Sequence, residues 1–148
     1  MQATRTYLEL TSPGQFRPAF GEFSDLVVER VQQPTPALYR HWYRTVGEPY
    51  HWDITLHVAT RNGALAGWYE LRRVPEDGSA EIAYFGLAPD AIGRGLGKHL
   101  LSAAVRDAWA MNPTRVWLHT CTLDHPHALP NYEKRGFVRY KTEEYEVT

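Results

Sequence analysis

The sequence predicts an α/β fold: a mixed sheet of α+β character flanked by helices. Three observations carry that prediction. Asn62-Gly63 separates two runs rich in strand-forming residues, which is a strong hairpin signal. The stretch Glu81–Gly97 reads as a strand, a proline-marked exit, a glycine-rich turn and the start of an amphipathic helix. A strand, a short helix and a final strand region follow it. The 148 residues suit one domain, residues 1–148. A chain of that size buries roughly 68–70% of its unfolded surface, so its core needs no disulfide or metal staple.

Each element has its own signal. Thr6–Leu10 reads as a first strand, ended by Ser12-Pro13-Gly14. Phe16–Gln33 is poorly patterned, with a strand around Leu26–Val31. Pro34–Val46 reads as a helix, because Pro36 suits a first turn and Leu38, Trp42 and Val46 recur every four residues. Tyr50-His51-Trp52 forms an aromatic loop cluster. Ile54–Ala59 and Leu65–Val74 are the hairpin strands, and Pro75-Glu76-Asp77-Gly78 is the next turn. Ala80–Leu87 feeds the glycine turn. Leu96–Met111 is a helix with a stripe of Leu96, Leu100, Ala104, Ala108 and Met111, stopped by Asn112-Pro113. Arg115–Thr120 is a strand, Pro126–Arg135 a short helix, and Phe137–Val147 one or two last strands.

Composition narrows the function. The net charge of −1, without a long charge run, leaves no footprint for nucleic acid or a membrane surface. Cys121 is the only cysteine, so no intrachain disulfide forms and a reducing compartment is expected. The first residues lack an apolar signal core, and no apolar run approaches membrane-spanning length. A cytoplasmic protein is the expectation.

Gly93, Gly95 and Gly97 strip side chains from the turn before the long helix. Backbone N–H groups there can converge on an anion at the positive helix end. The spacing differs from the G-x-G-x-x-G dinucleotide fingerprint. A Walker loop is excluded because His99, not Ser or Thr, follows Gly97-Lys98. The glycines alone leave a ligand-free tight turn open.

A second motif adds to the first. Tyr132-Glu133-Lys134-Arg135-Gly136-Phe137 lies one strand and one helix downstream. Together with Ile92-Gly93-Arg94-Gly95-Leu96-Gly97 and Leu87-Ala88-Pro89, it resembles the GNAT superfamily of acyl-CoA N-acyltransferases over roughly Leu65–Phe137. Two departures stand out. Ile92 occupies a place where the family has Arg or Gln. The segment before the hairpin is short for the family's second helix, a region that helps to shape the acceptor pocket in the family.

The resemblance implies a largely antiparallel central sheet that splays at the CoA site. It implies acetyl-CoA, or another acyl-CoA, as co-substrate, with no metal. The diphosphate would rest on the turn formed by Gly93, Arg94, Gly95, Leu96, Gly97 and Lys98. The pantetheine arm would lie beside Phe85–Leu87, and a backbone N–H near Leu87 would meet the thioester carbonyl. The acceptor would be a small-molecule or peptide amine. Members of the family often pair, so a homodimer is one expectation.

An amine of pKa near 10.4 costs about 4–5 kcal/mol to present unprotonated at neutral pH, so the cleft needs a base. Glu81 is the first choice, because strand alternation places it on the face of Leu87. An ion pair with Arg72 across the hairpin is its alternative role. Glu70 is the reserve base: an odd-sum hairpin register would bring it to the face of Glu81, where the second carboxylate would raise one pKa. Tyr132 would protonate the departing thiolate, or else pack at a helix–strand junction.

His119, Cys121, His125 and His127 could suggest zinc or, for the first two, a nucleophile pair. Polar lining of a pocket mouth explains them better. Asp124 and His125 could contact pantetheine or cap the last helix. Two other functions share the motifs: a non-catalytic acyl-CoA sensor, and a ligand-free structural domain.

Overall fold

The computed structural model describes residues 1–31, 54–93 and 95–147. Seven strands form one sheet: β1 (Gln2–Leu10), β2 (Leu26–Val31), β3 (Ile54–Arg61), β4 (Ala64–Val74), β5 (Ser79–Leu87), β6 (Val116–Cys121) and β7 (Val138–Glu146). Their order is β2-β3-β4-β5-β6-β1-β7. Helix α1 (Leu96–Ala110) joins β5 to β6, and helix α2 (Ala128–Lys134) joins β6 to β7. The helix expected at Pro34–Val46 and the cluster Tyr50-His51-Trp52 lie outside the described residues, as does Arg94. No described helix is long and apolar enough to cross a membrane.

The β3–β4 hairpin turns where the sequence marks it. Asn62 (φ 51°) and Gly63 (φ 82°) both take left-handed backbone, the requirement of a two-residue turn matched to strand twist. Along α1 four members of the expected stripe are buried, Leu96, Leu100, Ala104 and Ala108, with Leu101 and Val105 beside them, while Met111 is the half-buried C-cap beyond the helix. Leu100, Leu101, Ala104, Val105 and Ala108 share one apolar cluster with Leu71, Ala80, Ile82, Val116 and Leu118 of the sheet, which Leu129 and Tyr132 of α2 join, while Leu96 packs in a second cluster with Ala66 and Ala91. Each buried leucine contributes about 1.5–3 kcal/mol. Asn112 (φ 57°) ends the helix in a left-handed turn. On the outer part of the helix face, fully buried Tyr69 donates its hydroxyl to Asp107 Oδ2 at 2.5 Å, and His57 stacks 4.6 Å from its ring.

Several boundaries differ from the sequence reading, by one or two residues at most ends and by more at the start of the first strand. β1 starts at Gln2, because Gln2–Thr4 pair with Glu144–Glu146 rather than through any apolar pattern of their own. The short helix starts at Ala128, two residues after Pro126. The last region is a single strand.

Placement of β1 between β6 and β7 has a topological consequence. β2 forms the opposite edge of the sheet, so residues 11–25 must cross the helix face as a strap. The Arg17 N–H donates to Arg135 C=O at 2.7 Å, the Ala19 N–H to Ser102 Oγ at 2.9 Å, and the Gly21 N–H to His99 Nδ1 at 3.0 Å. The strap thus ties α2 to α1 before it reaches β2.

Candidate active site

The site is built where β5 leaves the sheet. β5 and β6 run parallel and pair only at Ala80↔Val116 and Glu81↔Trp117. Beyond that rung they part, and Phe85–Leu87 lie past it. The Ala88 N–H donates to Ala66 C=O on β4 at 2.8 Å. Successive residues of an antiparallel strand direct their backbone groups to opposite sides, so the Leu87 N–H turns toward the gap. The side chains of Phe85 and Leu87 pack into the core under α1.

A short 3-10 turn, Pro89–Ala91, then carries the chain into the glycine turn. Gly93 (φ 82°) and Gly95 (φ 76°) are left-handed, a conformation that costs other residues roughly 1–2 kcal/mol. A Cβ at Gly93 would meet nothing within 4 Å, so backbone conformation and not crowding calls for glycine there. Gly95 is the N-cap of α1 and has no side chain to cap it, and the first turn holds no acid. Among the described residues, neither a side chain at the N-cap nor an acid in the first turn competes with an external anion there. Leu96 is fully buried and anchors the turn, while Lys98 is exposed. The described residues at the turn therefore suit a diphosphate.

Tyr132 stands on α2, its ring edge-on to Phe137 at 6.0 Å. Burial first, and then the charge of Asp124, push its hydroxyl up to about 12, so it keeps its proton at neutral pH. Gly136 of the same motif has a packing reason: it is left-handed (φ 105°), and a Cβ there would collide with the Gln15 carbonyl of the strap.

The two carboxylates part company. Arg72 holds Glu81 Oε1 through Nε at 2.8 Å and Nη2 at 2.7 Å, and His119 Nε2 lies 3.8 Å from Oε2. The ion-pair alternative is thus formed. Glu81 does not share a face with Leu87, contrary to the alternation argument. Glu70 pairs with Tyr84 while Leu71 pairs with Ile82, so Ala83 is an extra residue that reverses the alternation beyond it. The far face, opposite α1, carries Glu70, Arg72 and Glu81 together, as the odd-sum register requires. Glu70 is buried, and its Oε2 has no hydrogen-bond partner among the described residues. Burial raises its carboxyl to about 7; the cause is desolvation, not the neighbouring carboxylate that the sequence suggested.

Among the described residues no group of three or more His, Cys, Asp or Glu could hold a metal ion. His119 lies against Tyr7, with ring centroids 5.4 Å apart, and burial lowers its pKa. Asp124 neither caps α2 nor stands free: its Oδ2 accepts from Thr120 Oγ at 2.6 Å and from the Cys121 N–H at 2.9 Å, closing the turn after β6. Sequence reasoning missed the strap around Phe20 and Phe23, because a segment of irregular backbone carries no periodic pattern to read.

Comparisons with known proteins bear on the family and the fold. A profile described as the acetyltransferase (GNAT) family matches residues 17–137. A mycothiol acetyltransferase of Streptomyces avermitilis is 29% identical over 96 residues, covering 65% of this chain and 31% of that one. The chain spans about a third of the length of such curated relatives, with 31% covered. A putative GNAT acetyltransferase from Novosphingobium aromaticivorans superposes with a TM-score of 0.65 at 19% identity, over 97% of this chain and 63% of that one. An IAA acetyltransferase from Bacillus cereus gives a TM-score of 0.57 at 24% identity, over 74% of each chain. The chain belongs to the acetyltransferase (GNAT) family.

Proposed function

We propose that this chain is an N-acetyltransferase that passes an acetyl group from acetyl-CoA to a small-molecule or peptide amine, by direct attack with both substrates bound. One observation carries the reading. A helix start with glycine as its N-cap, behind a left-handed glycine turn, stands at the mouth of a parallel strand pair that parts after two rungs. Acetyl-CoA supplies the activated acyl thioester. The backbone N–H groups of Gly95, Leu96, Gly97 and Lys98 hold its diphosphate, with Arg94 adding charge. The unpaired edge of β5 at Phe85–Leu87 receives the pantetheine amides. The Leu87 N–H stabilises the oxyanion that develops on the acyl carbonyl.

Glu70 takes the amine proton in this reading, directly or through water. A carboxyl near 7 combines a useful ionised fraction with enough basicity at neutral pH. Glu81, committed to Arg72, fixes the wall beside it. Tyr132 returns a proton to the leaving thiolate, and its raised pKa means the proton is present when needed. The test is thiol release from acetyl-CoA across a panel of amines. Amine-dependent thiol release is expected. CoA binding without turnover on any amine would leave a sensor of the same fold, and no CoA binding would leave a ligand-free domain.

A further inference from the structure

The strap that crosses α1 holds an aromatic side chain out of the core. Phe20 is 51% exposed, although its neighbours on the strap are tied down on both sides. The ring is fixed nonetheless. It stands edge-on to His99 at 5.4 Å, and Phe23 meets the same imidazole at 4.9 Å. Gly21 permits this turn, because a Cβ there would lie 2.6 Å from the Phe23 ring. The Arg106 guanidinium lies over the Phe20 ring at 5.6 Å.

His99 is set by the same contacts. Its Nδ1 accepts the Gly21 N–H at 3.0 Å, so the neutral ring carries its proton on Nε2. Burial lowers its pKa and keeps it neutral at pH 7. His99 follows Lys98 directly, and Lys98 reaches back over the glycine turn: its Cε is 3.8 Å from the place of a Cβ on Gly95. An exposed ring, a cation and an N–H donor therefore stand beside the first turn of α1, on strap and helix together. A flat face for a nucleobase and positive charge for phosphate are the chemistry of a nucleotide end.

We propose that Phe20, braced by His99 and Arg106, is the platform on which the adenine of the CoA substrate stacks, so that the strap forms one wall of the donor site. The inference rests on the reading of the glycine turn as a CoA cradle. It assigns donor binding to a segment that lies between β1 and β2 and shares no residue with either family motif.

Calorimetric titration of the full chain with CoA and with pantetheine, which lacks the nucleotide, tests it. Phe20→Ala and Phe20→Leu are expected to bind CoA about tenfold or more weakly, the scale of one lost base stack, with pantetheine binding unchanged. Phe20→Trp should restore the affinity. Thermal melting of each variant separates binding loss from unfolding, and Phe20→Leu keeps apolar packing on His99 while removing the ring. If the wild-type chain binds CoA and both variants match it, the platform is refuted and the cradle stands. Equal weakening for CoA and pantetheine would also refute it, by pointing to general disruption. If the wild-type chain binds no CoA, both ideas fall.

Discussion

Replacing Glu70 by glutamine should make the protein more stable and less active at once. Glu70 is 7% exposed, its Oε2 has no partner among the described residues, and burial lifts its carboxyl from 4.5 to about 7. The unfolded chain loses the same proton near 4.5. Between those values the folded chain holds a proton that the unfolded chain has released. Stability therefore falls as pH rises through this window and levels off above it. At about 1.4 kcal/mol per tenfold difference in proton affinity, the whole fall is about 3 kcal/mol, and solvent screening brings it to about 2. Glutamine does not titrate. Urea unfolding at pH 5 and pH 8 should show the wild-type chain losing about 2 kcal/mol more than Glu70→Gln between the two. Turnover of the variant at pH 8 should drop by about 100-fold or more if Glu70 takes the proton. Parallel stability profiles would refute the raised proton affinity of this buried carboxyl. Full turnover would refute its role as base.

Four further outcomes follow. Glu81→Gln removes the partner of an Arg72 that is 39% exposed, so it should cost only about 1 kcal/mol and leave turnover within a few-fold. A collapse of turnover in that variant would return the base to Glu81. Tyr132→Phe should lower kcat by about 100-fold with CoA affinity preserved, which pre-steady-state thiol release and calorimetry would separate. Tyr69→Phe should lower stability by about 1.5–3 kcal/mol in urea, through the lost bond to the Asp107 carboxylate. Gly136→Ala should cost about 2–4 kcal/mol in thermal unfolding, because left-handed backbone and the Gln15 carbonyl both resist a side chain there.

Local chemistry was legible in the sequence wherever it was periodic or punctuated. The Asn62-Gly63 turn and the stripe of α1 declare themselves because a left-handed pair and a helical repeat admit few other structures. The glycine turn is legible for the same reason. Long-range placement was not. Nothing in Gln2–Leu10 says that this strand lies between β6 and β7, since its edge pairing is carried by backbone groups common to every residue. The bulge at Ala83 is equally silent, yet it alone moves Glu81 off the face of Leu87. Which carboxylate is held depended on such details: Arg72 stands opposite Glu81, whereas Glu70 is buried with an oxygen that has no partner among the described residues.

The cradle itself is best tested by backbone amide NMR during titration with CoA. The amides of Gly95, Leu96, Gly97 and Lys98 should move downfield together and saturate at one CoA per chain, because each gains a charged acceptor. Saturable binding that leaves those four amides unmoved would contradict the account.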